Sequence, residues 1–353
     1  MEPVIWTEKY RPETFDEIVG HENVKSNLLH LIESNNLPHL VLYGEKNTGK
    51  RSTVLVLARM LYGDLWENNL AIFDASDFFD RGKKYLVSDP RFARIIGTDD
   101  PKKIQKSVIS VFKEVINEYA GMASIDADFR MVFIDSAEAL SPDAQHALRR
   151  IMEKHSATCR FVMSATHLPR LIPPLRSRGL NLFFDRASSD AVASQIRKIA
   201  EAENVSITDD GLQAIAYHAQ GDFACAIMTL QIASMKHARI DANTIYEIDL
   251  EHTPKEAEQL LHAAMTGDFK SARKQIDSLL MGESGADIVE QLRRVTKDKG
   301  FDSKLAARLA IHLAETDINL IHGSDERVQL EAWASRVCTI VEGYRAHSSN
   351  PNV

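Results

Sequence analysis

Cysteine is scarce. Cys159, Cys225 and Cys338 are the only three in 353 residues, far apart and in no metal-ligand spacing. That argues against a disulfide-stapled scaffold or a zinc ribbon, and buried free thiols in a reduced, intracellular protein are expected. No apolar run approaches the ~20 residues that a membrane span needs. The opening MEPVIWTEKYRP carries charge within a few residues and has no apolar signal region, so no leader and no membrane partner are expected. Internal repeats and low-complexity tracts are absent. A basic excess is missing too. The net charge of −8 argues against wholesale coating of nucleic acid, although it permits a local basic stripe.

What remains is an ordinary globular composition, 44% hydrophobic and 26% charged, long enough at ~100–200 residues per domain for two or three domains. Up to about residue 185 the chain alternates apolar runs with amphipathic stretches. HLVLYG (39–44), FRMVFID (129–135) and CRFVMSAT (159–166) read as buried strands with polar residues at their C-terminal ends. That pattern describes a parallel sheet with helices on both faces, which binds ligands at the strand ends. After FFDRASSD (183–190) strand signals disappear and helical segments follow, with a boundary near Pro254. The division expected is an α/β core (1–185), a small helical domain (186–250), a larger helical domain (251–347) and a disordered tail (348–353).

The stretch GEKNTGKR, residues 44–51, matches the phosphate-loop pattern G-x-x-x-x-G-K-[ST] except at its last position. Gly44, Glu45, Lys46, Asn47, Thr48 and Gly49 would aim backbone N–H groups at a phosphate, with Lys50 reaching the β- and γ-phosphates. Arg51 stands where a hydroxyl normally holds magnesium, and a guanidinium has only donors. Ser52 does not simply replace it, because one residue along a helix turns the side chain by roughly 100°. ATP or ADP binding is expected, with magnesium placement weakened. MVFIDSAEAL (131–140) has the form of the second ATPase motif. Asp135 would sit beside the metal, through water. Ser136 occupies the place of the water-polarising Glu and is far too weak a base. Glu138 is expected to point elsewhere.

Here the residues resemble a family: the small subunits of replication factor C, clamp loaders within the AAA+ ATPases. WTEKYRP (6–12) with FDEIVGHENV (15–24) looks like the family's N-terminal box, whose residues, here Arg11, Pro12 and Val19, lie against adenine. DASD and RG (74–77, 81–82), DAQHALRRIMEKHSATCRF (143–161), IPPLRSRG (172–179), GDFACAIMTLQ (221–231) and AETDINLIHGSDERVQLEAWAS (314–335) are similar to further family signatures. The resemblance implies an AAA+ core, a helical lid and an all-α collar. The collar would join five subunits into a hetero-pentameric ring that loads a sliding clamp on primer–template DNA, in the cytoplasm of an archaeal-like source or the nucleus of a eukaryotic one.

Three further positions depart from the family. Thr166 matches a sensor position where Asn is usual, Ala224 replaces the lid's sensor arginine, and Gly179 follows Ser177-Arg178 where the family has Cys. Arg178, the family's arginine finger, is kept. The resemblance therefore implies a subunit that binds nucleotide, hydrolyses it poorly and lends Arg178 to a neighbour. Two alternatives stay open: a competent ATPase using Ser52 or Thr53 for magnesium and Glu138 for water, and a scaffold that binds no nucleotide. Lys102, Lys103, Lys106, Arg149 and Arg150 are candidates for DNA phosphates, with Lys83 and Lys84 weaker; a solvated helix face fits each lysine equally, and support of a nucleotide pocket at a subunit boundary is the alternative for Arg149. Met60, Leu61 and Tyr62 read as core packing, with a clamp contact as the alternative.

Overall fold

A computed structural model describes residues 5–34, 36–122, 124, 127–252, 255–298, 300–323 and 325–348. Pro254 and all of the tail except Ser348 lie outside them. Two compact units divide at Ile245 and Tyr246.

The first unit is built on five parallel strands: β1 (His39–Gly44), β2 (Leu70–Asp74), β3 (Arg130–Asp135), β4 (Cys159–Ala165) and β5 (Gly179–Phe184), in the order β2-β3-β4-β1-β5. Alternate residues feed two cores. Val41, Val132, Ile134, Phe161 and Met163 pack on one face. Leu40, Leu42, Met131, Phe133, Val162 and Phe184 pack on the other. Burial on both faces is why these strands read as continuous apolar runs. Register pairs Tyr43 with Ala165, Gly44 with Phe184, and Asp74 with Asp135. The strands therefore end together, and β4 brings its own end between those of β1 and β3.

Two strands of this sheet, β2 and β5, lie outside the runs read as strands from sequence. The expectation that strands cease after residue 190 is corrected as well, since Ser206–Ile207 pairs in parallel with Arg239–Ile240. Two-residue strands carry no periodicity to detect. Around that pair lie helices Ser189–Ala202, Asp209–Ala219 and Phe223–Lys236, each opened by a side-chain cap from Ser188, Thr208 or Asp222.

The second unit is helical: Lys255–Thr266, Phe269–Leu279, Gly285–Asp298, Ser303–His322 and Glu326–Ser348. Leu260, Ile276, Leu292, Leu309 and Trp333 form its core. Ile311, Ile318 and Val328 are exposed.

Candidate functional site

The loop after β1 is shaped by three residues at positive φ: Gly44 at 144°, Asn47 at 57° and Gly49 at 92°. A Cβ on Gly44 would lie 2.0 Å from the carbonyl oxygen of Phe184, so the sheet itself requires glycine there. Helix Lys50–Tyr62 follows, with Val54 to Ala58 fully buried. Lys50 is 8% exposed. Its Nζ donates to Gly44 O at 2.7 Å, to Thr48 Oγ1 at 3.3 Å and to Glu45 O. Burial lowers its pKa below the ordinary lysine range, opposed by Asp135, Glu138 and Glu45.

Arg51 reaches across to β3, its guanidinium 3.3 Å from Asp135 Oδ2. Asp135 Oδ1 accepts from Ser164 Oγ and from the Ser136 N–H at 3.1 Å. Both carboxylate oxygens are thus engaged. Glu138, expected to point elsewhere, turns back instead. Ser136 adopts the left-handed conformation at φ 51°, and Glu138 Oε1 accepts from the Thr166 N–H at 2.9 Å and from Thr166 Oγ1. Glu138 Oε2 is buried with no hydrogen-bond partner. Thr53 Oγ1 donates to Gly49 O at 2.9 Å.

Beside the loop lies a cavity of about 140 Å³. Tyr10, Arg11, Pro12 and Val19 wall it from the N-terminal segment, Asn47, Thr48, Gly49 and Ser52 from the loop, and Gln195, Phe223, Ala224 and Ile227 from the helical part. The N-terminal segment is fastened to those helices: Lys9 Nζ and Tyr10 OH donate to Glu203 at 2.6 and 2.7 Å, and the Trp6 N–H donates to Gln231 Oε1 at 3.0 Å. Asn47 Nδ2 donates to Asp222 Oδ2 at 2.9 Å, and Glu45 pairs with Arg186 at 3.4 Å. Arg11, Pro12 and Val19, expected from the resemblance to lie against adenine, could be picked out in the sequence as residues of this wall. Tyr10, Gln195, Phe223 and Ile227 could not, because nothing local in the sequence says which helix closes the cavity.

Arg178 precedes β5 at the strand's N-terminal end, where Gly179 pairs with His39. Its guanidinium donates to Pro174 O at 2.8 Å and to the Glu153 carboxylate, which also takes Arg149 at 3.2 Å. The bond from Arg149, joined by Arg178, holds the Glu153 carboxyl below the usual carboxylate range.

Two family models cover most of the chain: the AAA domain of ATPases associated with various cellular activities over residues 40–185, and the replication factor C C-terminal domain over 252–336. The replication factor C small subunit of Archaeoglobus fulgidus is 38% identical over 96% of this chain and 98% of its own. That of Haloarcula marismortui is 36% identical over 93% of each. The chain belongs to the replication factor C small-subunit family. A solved structure of a Thermotoga maritima RuvB mutant matches the chain with TM-score 0.52 at 17% identity, over 72% of this chain and 79% of its own. At that identity the likeness speaks for the AAA+ fold alone.

The basic candidates of the chain are dispersed. Lys102 and Lys103 sit in a short 3₁₀ turn, Pro101–Lys103, ahead of helix Val108–Gly121, with Lys103 3.9 Å from Asp100. Lys106 pairs with Glu114 at 2.6 Å, and Lys83 anchors the backbone by donating to Ile104 O at 2.8 Å. Arg150 is exposed on an open groove of about 830 Å³ that also holds Lys113 and His146. Leu61 and Tyr62 pack against the core, while Met60 stays exposed. Among the described residues no group of His, Cys, Asp and Glu could hold a metal ion, and no helix is long and apolar enough to cross a membrane.

Proposed function

We propose that this chain is the subunit of a clamp-loading ring that binds ATP or ADP, hydrolyses it poorly, and lends Arg178 to the nucleotide of a neighbouring subunit. The observation that carries the reading is the Arg51–Asp135 pair. The strand-end carboxylate that would hold a metal through water already has a fixed cation on Oδ2 and two donors on Oδ1. The Thr53 hydroxyl is spent on Gly49 O, and Ser52 faces the cavity. These residues do not fit magnesium. They do fit nucleotide. The loop amides and Lys50 would hold the phosphates, and the cavity would take the base.

Arg178 cannot serve its own loop. It adjoins the β5 residue paired with His39, whereas the loop begins at Gly44, which pairs with Phe184. Five register steps separate the two, roughly 16 Å at ~3.3 Å per residue. A guanidinium offered at the far end of the sheet suits a neighbour's phosphates, where it would stabilise charge developing in phosphoryl transfer.

In this reading residues 1–185 form the nucleotide core, 186–250 the lid and 251–347 the collar. The exposed Ile311, Ile318 and Val328 would be buried against sister collars. Sister subunits, a sliding clamp and primer–template DNA are the partners. ATP turnover by the purified chain, alone and in the reconstituted ring, tests the proposal. Negligible turnover alone is expected, and brisk turnover would overturn it.

One observation favours a second reading, a competent ATPase. Glu138 faces the site with a buried, unpartnered Oε2, and its charge acts on Lys50. In that case Glu138→Gln abolishes turnover by this subunit; in the first reading there is little to abolish.

A further inference from the structure

We propose that Gln195 reads the base of the bound nucleotide, its amide pairing with the amino group and the adjacent N7 of adenine. This rests on the reading that the cavity receives the base. Helix Ser189–Ala202 buries Val192, Ile196 and Ile199. Position 195 shares that stripe, at i+3 from Val192 and i−4 from Ile199, where packing alone favours an apolar side chain. A half-buried glutamine stands there instead and lines the cavity.

Its amide has no hydrogen-bond partner among the described residues. Most other polar groups on the wall are occupied. Tyr10 OH donates to Glu203, Arg11 pairs with Glu8, Asn47 donates to Asp222, and Thr48 Oγ1 donates to Glu45 O. The hydroxyls of Thr7 and Ser52 offer one donor each. A glutamine amide presents a donor and an acceptor side by side, which matches the adjacent amino group and ring nitrogen of adenine. On the N7 edge a purine with a carbonyl at that position presents two adjacent acceptors, so neither orientation of the amide makes both bonds in a half-buried site.

The test is equilibrium titration of the full chain with ADP and IDP, which differ at that one group, for wild type, Gln195→Met and Gln195→Ala. Methionine keeps the length and apolar stem, and thermal melting checks that both variants fold. Wild type is expected to favour ADP roughly tenfold, the discrimination of one bidentate amide–purine pair. Both variants should lose that preference by binding ADP more weakly, with IDP affinity little changed. A preference kept by both folded variants, or absent from wild type, overturns the role of Gln195. A wild-type chain that binds neither nucleotide overturns the underlying reading of the cavity instead.

Discussion

The Arg51 guanidinium lies 3.3 Å from Asp135 Oδ2, so an arginine from the loop helix occupies the flank of the carboxylate that ends β3. On the proposed reading this internal cation takes the place of an external one. Nucleotide affinity of the wild-type chain should therefore change less than about twofold when magnesium is replaced by EDTA. Arg51→Thr restores the loop hydroxyl and frees Asp135, and should make binding tighter with magnesium by about tenfold, in the range of hydrogen bonds to charged groups. Calorimetric titration with and without metal checks both; a wild-type chain that needs magnesium refutes the first.

Arg178 carries the expected action on a neighbour. Arg178→Ala should leave nucleotide affinity of the isolated chain unchanged, because the side chain sits at the opposite end of the sheet from Lys50. In the reconstituted ring the adjacent site should lose roughly 10³-fold in turnover, the low end for an arginine finger. Single-turnover hydrolysis on rings with one active site measures it. Unchanged hydrolysis there would mean that the guanidinium serves only Glu153.

Stability should fall in mild acid through His39. Its Nδ1 accepts from the Phe161 N–H at 3.1 Å, which requires the neutral ring. Burial, with Arg160 nearby, lowers its pKa from 6.5 to about 4. The unfolded chain therefore binds the proton first. The stabilising contribution is complete above about pH 6.5 and is lost progressively as pH falls towards 4. His39→Asn, which can accept the same bond without titrating, should flatten that part of the profile of melting temperature against pH. An identical profile for the variant would point to other groups.

Gly44→Ala should cost more than about 2 kcal/mol, since the new Cβ meets a backbone oxygen that the sheet register fixes. Gly97→Ala is the control. It also has positive φ, 65°, but nothing lies within 4 Å, so only the backbone cost of roughly 1 kcal/mol applies. Denaturant unfolding compares the two, and equal losses would show that the contact with Phe184 is relieved easily.

Much of the site was legible because its parts are local. The loop glycines, Lys50 and the replacement at Arg51 lie within eight residues, and Asp135 closes an apolar run whose end is plain. Glu138 was misjudged for a specific reason. Three residues past a strand end its direction depends on the left-handed turn at Ser136, and serine does not announce positive φ as glycine does. The short strand β2 was overlooked because five residues between helical stretches carry too little alternation.

The sequence by itself determined three of the five core strands, the phosphate loop and the absence of a hydroxyl directly after Lys50. These are matters of chain-local chemistry. The tertiary structure decided which residues meet. Only the order β2-β3-β4-β1-β5 brings Arg51 to Asp135 and Glu138 to Thr166. Only the packing of helix Ser189–Ala202 beside the N-terminal segment turns Gln195 towards the cavity. Such contacts join residues scores of positions apart, and hydrophobic pattern is blind to them because it fixes which face of an element is buried, not which partner covers it.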